Sequence, residues 1–66
     1  MKVFINDKPR DTSAQTVAEL VKELGLHEQS AIAIAIGEQV IPRSSWATFA
    51  LTENVTLLII RAAQGG

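Results

Sequence analysis

Along this chain the apolar positions change period from two to about 3.6 and back to two, and each change marks an element. In "KVFIN", Val3 and Ile5 fall on one side and Lys2, Phe4 and Asn6 on the other, which predicts a half-buried strand. "NDKP" reads as a tight turn, because Asn and Asp favour turns and Pro9 cannot donate to a central ladder. A short second strand around Arg10 to Thr12 completes a predicted hairpin. Val17, Leu20, Val21 and Leu24 then fall at helical spacing and draw one apolar stripe, with Glu19, Lys22 and Glu23 facing water. Thr16 and Glu19 have the spacing of a capping box, in which hydroxyl and carboxylate each satisfy an N–H at the helix start. Gly25 predicts a left-handed stop, with Leu26 placed for the hydrophobic contact that accompanies such a cap.

"AIAIAI" alternates strictly, Ile32, Ile34 and Ile36 on one face and Ala31, Ala33 and Ala35 on the other, and is the clearest strand in the chain. Gly37-Glu38 predicts a turn, "QVI" a short return strand and Pro42 its end, after which "RSSWATF" reads as irregular or single-turn structure with Trp46 and Phe49 covering one end of the core. "NVTLLIIR" is the last strand, with Val55, Leu57 and Ile59 on one face and Thr56, Leu58 and Ile60 on the other. If the helix covers the first face, Leu58 and Ile60 stay outside and, with Phe4, form a patch that marks a partner surface unless a loop or another copy covers it. The order strand, strand, helix, strand, short strand, strand predicts an α+β fold, a mixed sheet of four to five strands with one helix packed across it. Two hairpins around one helix suggest the ubiquitin-like β-grasp arrangement, although order alone supports several topologies.

Sixty-six residues allow one domain, and a chain of this size buries only ~60% of the surface that its unfolded form exposes. The 47% hydrophobic and 20% charged content lies within the range of ordinary folded chains. A net charge of −1, with no basic block, argues against nucleic acid as a partner. No apolar stretch approaches the ~20 residues that span a bilayer, and "MKVFIND" turns polar too soon for a signal peptide, so neither a membrane partner nor export is expected and the expected location is cytoplasmic. There is no cysteine, which excludes disulfides, thiolate metal sites and a side-chain persulfide. His27 is the single histidine and reads as a solvated loop residue rather than a ligand or catalyst. Glu19 and Glu23 sit a turn apart beside Lys22 and read as a solvated surface. No nucleophile, base and pocket come together, so no catalytic residue and no metal site are assigned.

The sequence ends "RAAQGG". Residues 1–61 read as a single domain and residues 62–66 as a flexible C-terminal tail, because a glycine-rich end without large side chains is mobile. Gln64, Gly65 and Gly66 form its last part, and a residue without Cβ permits close backbone approach by a partner. Five residues follow Arg61 and reach roughly 17 Å when extended. The α-carboxylate of Gly66 is the candidate working group of this end; a frayed, inert end is the alternative.

Over its whole length the chain resembles the ThiS family, the small sulfur carrier proteins of thiamine biosynthesis. The residues that carry the resemblance are the opening "VFIND", the "QTVAELVKELGL" helix, the "AIAIGEQVIPRSSWATFAL" segment with its Ile-Pro-Arg and Trp, and the final Gly65-Gly66. The chain departs from the family pattern at Gly37, where an Asn is usual at or beside this position, and at Glu53-Asn54, where a Gly-Asp pair is usual; both are turn positions.

The resemblance implies a β-grasp fold and a carrier that is not itself an enzyme. It implies that a ThiF-like adenylating enzyme joins the Gly66 carboxylate to AMP from ATP, that a cysteine-desulfurase-type sulfur source displaces the AMP to leave a thiocarboxylate, and that the sulfur passes to thiazole synthase (ThiG-like). The acyl-adenylate and thiocarboxylate are transient modifications, and no bound cofactor is implied. Phe4, Leu58, Ile60, Arg61 and Arg43 are the candidate docking residues. Trp46 and Pro42 belong to the same motif, where a turn-and-packing role explains them at least as well. Three other readings remain open at this point: a molybdopterin synthase small subunit-like carrier, a ubiquitin-like protein modifier, and a β-grasp binding module with an inert tail.

Overall fold

The computed structural model describes residues 1–28 and 31–61. Its elements are β1 (Lys2–Ile5), β2 (Lys8–Asp11), α1 (Val17–Glu23), β3 (Ile32–Ile36), β4 (Gln39–Ile41), a 3-10 turn at Arg43–Ser45, and β5 (Thr56–Arg61). The strands form one sheet in the order β2-β1-β5-β3-β4. β1 and β5 run parallel, and the remaining neighbours are antiparallel. The last strand in sequence is therefore the middle strand of the sheet, the mixed arrangement of a β-grasp.

The β1–β2 connection is tighter than "NDKP" suggests. Asn6 and Asp7 both take positive φ, 51° and 69°, and Ile5 pairs directly with Lys8, so the turn has two residues and primed geometry. β2 accordingly starts at Lys8 rather than near Arg10, with Pro9 inside it opposite Phe4. Proline is tolerated there for two reasons. β2 is an edge strand, and Phe4 donates its N–H to Val55 on the β5 side, so no N–H is needed from Pro9 at that pair.

α1 forms where the capping residues and the apolar stripe coincide. The Thr16 hydroxyl accepts the Glu19 N–H at 3.2 Å. The Glu19 carboxylate reaches one residue further back than a capping box requires, accepting from Gln15 N–H at 2.8 Å. At the other end Gly25 (φ 75°) makes the left-handed turn, its N–H donating to Lys22 and that of Leu26 to Val21, both at 3.0 Å. These two bonds are the Schellman pattern, and Leu26 is buried beneath it.

The helix lays Val17, Leu20 and Val21 on the sheet face formed by Val3, Ile34, Ile41 and Leu57, with Trp46 and Leu51 joining the same core. Val3, Val17, Leu20, Val21, Ile34 and Leu57 are fully buried, each contributing about 1.5–3 kcal/mol. Trp46 is buried as expected and its indole N–H donates to the Ile41 carbonyl at 2.9 Å, while Phe49 packs against the core from the side. The two departures from the family pattern are both met by backbone geometry: Gly37 has φ 63° and Asn54 has φ 66°, values that Gly and Asn adopt at least cost.

One expectation for the helix surface changes. Glu23 does not simply face water: its carboxylate accepts from the Thr12 hydroxyl at 2.6 Å and from Arg10 Nε at 2.8 Å, tying the end of α1 to β2. These two bonds hold its pKa below the ordinary glutamate value, the Thr12 bond being the larger cause. Sequence periodicity places Glu23 on the polar side correctly but does not show that β2 approaches it there.

Candidate functional site

Strand alternation divides the sheet into a covered and an open face. On β5, Leu57 and Ile59 point to the helix, while Leu58 and Ile60 are 48% and 51% exposed on the opposite face. Leu58 pairs with Ala35, and Ala35 pairs with Val40 on the other flank, so three strands place these residues in one row. Ile60 pairs with Ala33 in the next row. Because the intervening β3 residues are alanines, the larger side chains stand above their surroundings. Phe4 lies on the same face, half-buried and paired with Thr56, with the Lys2 ammonium 5.3 Å from its ring centroid.

Phe4, Leu58 and Ile60 thus share one face as the sequence suggests. Val40, 63% exposed, belongs with them and was missed. Its signal was available: if Ile41 turns inward after Gly37-Glu38, Val40 must turn outward beside the alanines. The structure does not bring Arg61 or Arg43 into the same row. Arg61 ends β5 on the helix side of the sheet and borders a hollow lined also by Ile5, Asn6, Leu24, Leu26 and Ile59. Arg43 sits in the 3-10 turn after β4, its guanidinium 4.4 Å from the Trp46 ring. Gln64, Gly65 and Gly66 lie outside the described residues.

Among the described residues no three His, Cys, Asp or Glu side chains group together to hold a metal ion, and none of their helices is long and apolar enough to cross a membrane. His27 is exposed in the loop after α1. What the geometry offers is a central strand that carries an apolar outer face and ends at Arg61, five residues before Gly66.

A five-stranded mixed sheet crossed by one helix, with its last strand in the centre, defines a ubiquitin-like β-grasp protein. The solved structure of the thiamine biosynthesis protein (ThiS) from Geobacter metallireducens superposes on it with a TM-score of 0.82 over 100% of both chains, at 17% identity, and shows the same fold. In sequence, the Sulfur carrier protein ThiS of Escherichia coli (strain K12) is 33% identical over 67 residues, covering 100% of both proteins. The ThiS family profile matches residues 3–66, and the chain belongs to the ThiS family, the sulfur carrier proteins of thiamine biosynthesis.

Proposed function

We propose that this chain carries sulfur as a thiocarboxylate on the terminal carboxyl group of Gly66 and delivers it to thiazole synthase in thiamine biosynthesis. The observation that carries the reading is the family match through residue 66, which takes in the Gly65-Gly66 end of a chain that has no cysteine. A carboxylate resists nucleophilic attack because of its charge and resonance, so it must first be activated. The Gly66 carboxylate attacks the α-phosphate of ATP, pyrophosphate leaves, and an acyl-adenylate forms. The terminal sulfur of a persulfide on a cysteine-desulfurase-type source then attacks the acyl carbon and expels AMP, giving an acyl disulfide. A thiol reductant cleaves its S–S bond, taking the donor sulfur into a new disulfide and leaving the thiocarboxylate on Gly66.

The chemistry belongs to the partners, a ThiF-like adenylating enzyme and the thiazole synthase, and the chain is a cosubstrate that is consumed and regenerated. Its own contribution is presentation. Glycines at 65 and 66 let the tail enter a narrow channel, and five residues beyond Arg61 reach roughly 17 Å from the folded body. The open face with Phe4, Val40, Leu58 and Ile60 is the surface we assign to docking, an apolar patch of the kind that marks partner surfaces. Arg61 is assigned to the mouth of the channel and Arg43 to the rim of the contact.

The test is the intact mass of the untagged chain after incubation with ATP, a ThiF-like enzyme and a cysteine desulfurase with its sulfur source, beside a chain lacking Gly66. The expected result is a gain equal to one oxygen replaced by sulfur, absent from the shortened chain. No gain, with the same enzymes active on another carrier, overturns the reading.

A further inference from the structure

Asn6 is the first residue of the β1–β2 turn, and the turn asks of it only a positive φ, here 51°. Its carboxamide is used elsewhere. Oδ1 accepts the Ile59 N–H at 2.8 Å, and Nδ2 donates to the Ile59 carbonyl at 3.3 Å. The Asn6 N–H donates to Leu57 O at 2.9 Å immediately before. The side-chain amide therefore stands where the next peptide group of a longer β1 would stand. It continues the parallel ladder beyond Ile5↔Leu57, the point at which the main chain of β1 turns away.

This substitution of side chain for backbone falls close to the end of β5. On its other flank β5 is paired with β3 as far as Arg61↔Ile32. On the β1 flank, the main-chain pairs stop at Leu57, and the Asn6 carboxamide holds Ile59. Packing does not replace it, because beside Asn6 and Ile59 on the helix side lies the hollow of about 370 Å³ bordered by Leu24, Leu26 and Arg61.

We propose that Asn6 is a positioning residue for the C-terminal segment: its carboxamide clamps Ile59, keeping β5 paired on both sides near its end so that Arg61, the residue from which the segment starts, is held in one place. The proposal rests on the carrier reading of the tail. The Ile59 groups are at the surface, so water can take the place of the amide and the fold survives its loss. What is lost is the fixed origin of the segment. A strand end that splays starts the last five residues in many directions, and an enzyme channel accepts few of them, so ordering is deferred to the encounter and lowers its productive fraction. Asn6 touches no reacting atom; it acts through Ile59.

Two variants separate the side chain from the turn. Asn6→Gly accepts φ 51° and removes the carboxamide; Asn6→Asp keeps an acceptor for the Ile59 N–H and loses the donor. Amide hydrogen exchange at Ile59, and kcat/KM for ATP-dependent adenylation by a ThiF-like enzyme, are measured on each full-length chain. For Asn6→Gly we expect Ile59 exchange to rise about tenfold or more, with Val3 and Leu20 amides within about twofold, and kcat/KM to fall about three- to tenfold. Asn6→Asp falls between it and the wild type. Faster Ile59 exchange with unchanged kcat/KM overturns the positioning role, and so does unchanged Ile59 exchange. A loss of kcat/KM matched by equally faster exchange at Val3 and Leu20 also overturns it, because that is general loosening. If the wild-type chain itself is not adenylated, the carrier reading fails and the proposal fails with it, a result distinct from an effect confined to the variants.

Discussion

The Glu23 carboxylate and the Thr12 hydroxyl, 2.6 Å apart, join the last turn of the helix to the end of the edge strand. Thr12 is buried, and its oxygen also accepts the Ala14 N–H at 3.0 Å, so one hydroxyl serves both the turn into the helix and the carboxylate beyond it. Arg10 completes the arrangement from β2.

This arrangement makes stability depend on pH with a definite sign. The folded pKa of Glu23 lies below the ordinary value of 4.5, so folding favours the ionised form. The contribution is present in full above that ordinary value and disappears as pH falls through the lower folded value. Thermal melts of the wild type and Glu23→Gln from pH 7 to pH 3 are expected to show a gap at neutral pH that closes on acidification. A gap of constant size would mean that the charge plays no part.

The two faces of β5 predict opposite responses to truncation. Leu57→Ala opens a cavity at a fully buried position and should cost about 2–5 kcal/mol, whereas Leu58→Ala should stay within about 0.5 kcal/mol. Urea unfolding followed by the fluorescence of the buried Trp46 reads both on the same signal.

Turn geometry supplies a third test. Gly37 has φ 63° and open space where a Cβ would point, so substitution there meets a backbone cost and no steric one. Gly37→Ala should destabilise by about 1–2 kcal/mol, and Gly37→Asn by less, because Asn tolerates the left-handed region. Equal losses for the two variants in chemical denaturation would show that φ is not what the position selects.

For the open face, Leu58→Asp with Ile60→Asp should leave the melting temperature within a few degrees of wild type while raising the KM of the adenylating enzyme for the carrier by about tenfold or more. Unchanged kinetics would remove this face from the docking surface.

Much of this architecture was legible because local and long-range demands agree. Ile32, Ile34 and Ile36 alternate with alanines, and the inward set is the set that packs toward the helix. Thr16, Glu19 and Gly25 bound the helix through bonds between neighbours in sequence, which spacing can reveal. Pro9 was harder, since its tolerance depends on β2 being an edge strand and on which way Phe4 directs its N–H. The Glu23 and Asn6 contacts span 11 and 53 residues, and no local period encodes them. Val40 was within reach of the alternation argument, whereas the opposite placement of Arg61 from Leu58 and Ile60 follows from counting residues along β5. The docking role proposed for the open face concerns contacts between chains, which no periodicity within one chain encodes.

The parallel pairing of β1 with β5 joins residues such as Phe4 and Thr56, about fifty positions apart in sequence, at the middle of the sheet. Closing so large a loop is among the slower steps in folding, and here it cannot occur until the final strand has been made. A nascent chain interrupted before Thr56 leaves β1 and β3 without their shared neighbour, so their apolar faces stay unpaired and open to proteolysis. Synthesis through β5 is thus a condition for a lasting folded body, because only then do β1 and β3 gain the neighbour they share.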